Sequence, residues 1–157
     1  ERLARAKAEV IATTEQNALV VAGDTVVLHK DQLLLKPRDS EEAVSMLNQL
    51  AGSAHEVLTG LALAGSQGIV SGVERTEVLF RDFGKDISQR YVATGEPLDK
   101  AGAYGIQGLG AALVAGVRGD YYSVVGFPVG LFMDLLDQGG WLYEFGHLST
   151  TSSDTPA

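Results

Sequence analysis

Cysteine is absent from this 157-residue chain. That removes disulfides, thiolate nucleophiles and cysteine-ligated zinc together. Basic residues are in deficit: 12 Lys and Arg stand against 20 Asp and Glu, a formal net charge of -8. Such a balance repels a DNA or RNA backbone and argues against a polymer partner. It leaves room for a small phosphorylated ligand, because a few local lysines and a divalent ion can reverse the field in one pocket. No apolar run approaches the roughly 18 residues of a membrane span, and Glu1, Arg2 and Arg5 have no long apolar run of signal-peptide type behind them. His29, His55 and His147 lack metal-ligand spacing, and His55, at the start of a strand, reads as a hydrogen-bonded structural residue. There is neither a Walker-type phosphate loop nor a G-x-S-x-G elbow.

What is present fits one domain. Hydrophobic residues make up 45% and charged residues 20% of the chain, enough apolar matter for a core and far from a disordered composition. Leu3, Ala6 and Val10 share a helical face, which predicts a helix from about Glu1 to Glu15 with no capping residue ahead of it. The chain is therefore expected to be a fragment, or to have had an upstream segment. An apolar strand over Ala18–Ala22 follows, interrupted by Gly23-Asp24-Thr25 and resumed over Val26–Leu28, with a return strand at Leu33–Leu35. Asp39 and Glu42 have the spacing of a capping box for a helix that buries Ala43, Met46, Leu47 and Leu50 and stops at Gly52. Two long strands, His55–Ala64 and Ile69–Phe83, form a hairpin, the second with one wet face. A helix over Ile87–Ala93, strands over Ala111–Val117 and Tyr121–Val125, and a helix from Pro128 to Asp137 complete the reading. Tyr121 and Tyr122 are expected to pack on their strand. Residues 1–147 form the domain, and 148–157, rich in Ser and Thr, read as a disordered tail. The interleaving predicts an α/β fold, a mixed twisted sheet flanked by helices.

Three places combine charge with turn residues. In Gly23-Asp24-Thr25, the carboxylate could hold a divalent cation or activate water, or could simply cap a turn. Lys36, fixed by Pro37, could present an ammonium to phosphate or stand solvated at a strand end. Gly95 to Gly108 sets Glu96, Asp99, Lys100 and Gln107 among glycines, which can expose N–H groups to a ligand or form a floppy loop; Tyr104 and Ile106 suggest that it packs.

These stretches, with Met46 to Gly52, His55 to Gly60, Tyr91-Val92, Gly119-Asp120 and Val124 to Pro128, resemble the Maf family in order and spacing from about Arg2 to Leu136. The run from Asp99 to Gly108 is the most specific part. The resemblance implies a fold related to inosine triphosphate pyrophosphatase, usually homodimeric; a cytoplasmic location is expected and needs no special explanation in a chain without cysteine. It implies hydrolysis of a nucleoside triphosphate to monophosphate and pyrophosphate with Mg or Mn, in a house-cleaning role linked to septum formation. Tyr104-Gly105-Ile106-Gln107 is similar to the branch acting on dTTP and UTP. A non-catalytic septum regulator and an N7-methyl-GTP pyrophosphatase are the alternatives. Carried over by position, Asp24 is the general base or metal ligand, and Lys36 and Gln107 join it as catalytic groups. Lys7, Thr25, Glu96, Asp99 and Lys100 bind substrate or brace the site. The family's opening Ser-x-Ser-Pro-Arg-Arg loop has no match here.

Overall fold

The computed structural model describes residues 1–15 and 17–151. Its elements in chain order are α1 (Arg2–Ala12), β1 (Val20–His29), β2 (Gln32–Leu34), α2 (Ser40–Leu50), β3 (Ala54–Gly65), β4 (Gly68–Phe80) and α3 (Lys85–Val92). Three short 3-10 turns follow, at Glu96–Asp99, Ala101–Ala103 and Gly108–Leu113. Then come β5 (Val114–Arg118), α4 (Tyr121–Val125), α5 (Val129–Gln138), β6 (Trp141–Tyr143) and β7 (Leu148–Thr150). The main sheet has the order β2-β1-β3-β4-β5, and β6 pairs with β7 apart from it. The expected sheet flanked by helices is present. All four pairings within it are antiparallel, so the mixture lies in helix and strand rather than in strand direction.

The centre is β3, where every residue from Thr59 to Ala64 is buried. A strand covered on both faces loses the alternation of a half-wet one. On one face the small side chains of Ala62 and Ala64 lie against Ala4 and Ala8 of α1. On the other, Leu61 and Leu63 meet Leu135 and Leu136 of α5. Farther along the sheet Val57, Val78 and Phe80 join Leu47 and Leu50 of α2 and Tyr91 of α3 in the largest apolar cluster. β4 keeps the expected wet face, where Glu77 pairs with Arg118 across to β5 at 2.7 Å.

Several expectations need correction. Gly23-Asp24-Thr25 does not interrupt a strand; β1 runs through it, paired with β3 from Val20 to Leu28. Tyr121–Val125 is a helix, not a strand: the Asp120 carboxylate accepts the Tyr122 N–H at its start, and Gly126 ends it at φ 116°. Tyr121 and Tyr122 consequently project outward, exposed. Leu148–Thr150, expected to begin a tail, pairs with Trp141–Tyr143; residues 152–157 lie outside those described. Asp39 caps α2 by accepting the Glu42 N–H at 2.8 Å, but Glu42 turns its own carboxylate to Arg38, so only half of the capping box forms. No helix of the described residues is long and apolar enough to cross a membrane.

His55 is buried, and its Nε2 meets the Tyr104 hydroxyl at 2.8 Å, with Phe80 edge-on to the ring. Burial lowers its pKa from 6.5 to about 4. The unfolded chain therefore binds a proton that the folded chain refuses, and stability falls as pH drops from the unfolded value toward the folded one. Unfolding in urea between about pH 7 and pH 5 should show a loss on the order of 2 kcal/mol. In His55→Gln most of that slope should vanish, leaving the smaller part from His29, which burial also lowers.

Candidate active site

A cleft of about 1120 Å³ opens along β1. β2 pairs with β1 only from Val27 to His29, so from Val20 to Val26 the strand has β3 on one side and no strand on the other among the described residues. Asp24 lies on this free stretch. Its register partner is Gly60, in the small-residue row of β3 over which α1 packs. Alanine against alanine lets the helix come close, and Lys7 of α1 reaches down to Asp24. Its ammonium donates to Asp24 Oδ1 at 2.6 Å and to the Gly23 carbonyl at 3.2 Å. Asp24 thus stands on a sheet rather than on a turn, and the turn-capping alternative falls.

Lys36 enters from beyond β2. The carbonyl of Leu35, just before it, accepts the Gly102 N–H at 3.2 Å, which ties the Lys36 backbone to the glycine-rich segment. Lys100 lines the same cleft, donating to Asp99 at 2.6 Å and to the Glu96 carbonyl at 2.9 Å. The bond and charge of Lys100, with help from Lys36, hold the Asp99 carboxyl below its ordinary range. Gln107 is exposed at the cleft, and among the described residues its side-chain amide makes no hydrogen bond. The Thr25 hydroxyl pairs with Thr59 at 2.9 Å, and Thr59 donates to the Ser123 carbonyl at 2.8 Å, joining β1, β3 and α4.

Of the eight residues singled out in the sequence, seven line this one cleft: Lys7, Asp24, Thr25, Lys36, Asp99, Lys100 and Gln107. Glu96 does not. Its carboxylate faces inward, accepting the N–H groups of Leu109 and Gly110 and the Tyr91 hydroxyl, each at 3.0 Å. Those N–H bonds hold it below its ordinary pKa. It follows that the glycine-rich segment does not offer these N–H groups to a ligand, as its composition suggested. Its glycines serve close approach instead. The sequence also gave no role to the apolar wall, where Leu3, Leu33, Leu35, Val125 and Phe127 stay exposed along the cleft. Exposed apolar side chains gathered in one concavity mark a binding surface. Their spread over three separate stretches of the chain hid them from a linear reading.

A family model described as Maf-like protein matches residues 1–139. The chain belongs to the Maf family. Among curated Maf relatives, a dTTP/UTP pyrophosphatase of Bacillus cytotoxicus is 46% identical over 136 residues, covering 87% of this chain and 71% of the relative. The protein of that name from Pyrococcus horikoshii is 44% identical over 137 residues, 87% of this chain and 74% of its own length. That of Shigella sonnei is 46% identical over 144 residues, 91% and 73% respectively.

The packing of the Maf glycine-rich segment leaves no room at Gly110. A Cβ there would collide with the Gly105 carbonyl and lie 2.5 Å from the Tyr91 hydroxyl. Gly110→Ala should lower stability by about 1–3 kcal/mol, seen as an earlier urea midpoint at unchanged m-value.

Proposed function

We propose that this chain hydrolyses nucleoside triphosphates, dTTP and UTP foremost, to the monophosphate and pyrophosphate. The observation that carries the proposal is the assembly in one cleft of two carboxylates, three ammonium groups and a free amide: Asp24 and Asp99, Lys7, Lys36 and Lys100, and Gln107. The relatives' shared name supports the substrate pair. They lend no weight to the septum-regulator or N7-methyl-GTP alternatives.

Cleavage between the α and β phosphorus atoms needs a water whose oxygen bonds to the α phosphorus while the bridging bond breaks. Asp24 can take the proton that water loses. Its Oδ1 is held by Lys7, which leaves the second carboxylate oxygen for that task. Lys7, Lys36 and Lys100 offset charge on the phosphates and on the departing pyrophosphate. Gln107 orients substrate or water. The exposed apolar wall offers a face to the base and sugar.

A divalent cation, Mg or Mn, belongs to the same reading. Among the described residues no three His, Asp or Glu side chains gather to hold an ion. Asp24 supplies one carboxylate, a donor set that suits an ion bound jointly with substrate phosphates, as magnesium commonly is. Such an ion would neutralise phosphate charge; the one free oxygen of Asp24 would serve either as its protein ligand or as the base. Homodimerisation, as the family resemblance implies, and a cytoplasmic setting are part of the same proposal.

Pyrophosphate release from dTTP, UTP, CTP, GTP and N7-methyl-GTP with Mg or Mn tests this directly. Release should be fastest with dTTP and UTP, and Asp24→Asn should reduce it by about 100-fold or more. A folded protein that releases nothing from any of the five would end the proposal.

A further inference from the structure

We infer that Tyr91 and Glu96 are positioning residues that hold Gln107 in place through the backbone on both sides of it. This rests on the pyrophosphatase reading for what Gln107 does, though not for the brace itself.

Neither residue lines the cleft. Tyr91 sits in α3 with its ring in the main core, 6% exposed, and sends its hydroxyl to the segment from below. That oxygen accepts the Gly105 N–H at 3.1 Å and donates to Glu96 Oε1 at 3.0 Å. The same Oε1 accepts the Gly110 N–H, and Oε2 accepts the Leu109 N–H. Gly105 precedes Gln107 by two residues; Leu109 and Gly110 follow it by two and three. Four hydrogen bonds therefore clamp both flanks of Gln107 and none touches its side chain.

Steric contact makes the clamp tight. Gly108 has φ +69°, and a Cβ on it would lie 2.8 Å from Glu96 Oε2; the collisions at Gly110 are with the Gly105 carbonyl and Tyr91. The glycines next to Gln107 are thus the positions where the segment presses on the two bracing side chains. A carboxylate receiving two backbone N–H groups is a charge-assisted acceptor, stronger than a neutral one. Tyr104 anchors the leading end separately, through His55. Gln107 alone in the stretch faces the cleft with its amide uncommitted, as a residue held in place for a ligand would be.

The test is a pair of double-mutant cycles read by pyrophosphate release from dTTP. Tyr91→Phe and Glu96→Ala are made in the full chain, alone and together with Gln107→Ala. Each should lower kcat/KM about tenfold when Gln107 is present and less than about twofold when it is gone. Glu96→Gln keeps an acceptor for Gly110 and Tyr91 but loses the one for Leu109, so its loss should fall between Glu96→Ala and the parent. Equal losses with and without Gln107 would show general structural damage and overturn the inference. Amide hydrogen exchange supplies an arm that needs no turnover. Gly105 should exchange about tenfold faster in Tyr91→Phe, and Leu109 and Gly110 in Glu96→Ala, with β3 unchanged. Unaltered exchange at these amides would refute the brace. Should the parent release no pyrophosphate, the functional reading fails by itself, and the exchange result still decides the brace.

Discussion

The stretch of β3 from Thr59 to Ala64, buried on both faces, constrains the rest of the molecule. Because residues 59–64 are buried on both sides, helices must cover both, and the side chains beneath each helix set how near it comes. Under α5 they are leucines. Under α1 they are alanines, with Gly60 at the end of the row. The asymmetry places α1 close enough for one lysine to reach a carboxylate on the neighbouring strand. The Lys7–Asp24 pair is partly exposed and adds little stability of its own. Its geometry is a by-product of what β3 buries.

Much of this was legible in the residues. Alternation in Thr76, Val78 and Phe80 against Glu77 gave β4 its wet face, and Asp39 announced α2. The candidate residues outside Glu96 did converge on one cleft. The failures share a cause: a local signal outvoted by a longer-range one, or a weak signal outranked. Gly23-Asp24-Thr25 reads as a breaker, yet nine consecutive register pairs with β3 carry the strand through it. Tyr121–Val125 has the aromatic and β-branched composition of a strand, and five residues are too few for period to decide. Asp120 and Gly126, the cap and the left-handed terminator, were the better guides. Glu96 stood in the right stretch but faces the wrong way for a ligand, which no spacing rule could reveal.

The cleft joins two chemistries that come from separate layers. Its cations arrive from a helix, from the segment after β2 and from the glycine-rich segment, while part of its apolar wall comes from the turn between α4 and α5. The Thr25–Thr59–Ser123 chain of hydrogen bonds fastens α4 to the sheet at that point. Thr59 and Ser123, which carry this chain of bonds, are both fully buried.

The glycine-rich segment carries a thermodynamic consequence. Glycine has the most conformational freedom to lose, so a loop rich in it commonly charges that loss to whatever ligand orders it. Here the loss falls on folding instead, because Tyr91, Glu96 and His55 restrain the segment before any ligand arrives. A ligand entering the cleft meets a segment whose backbone entropy is already spent, and the ordering left to it is that of exposed side chains such as Gln107.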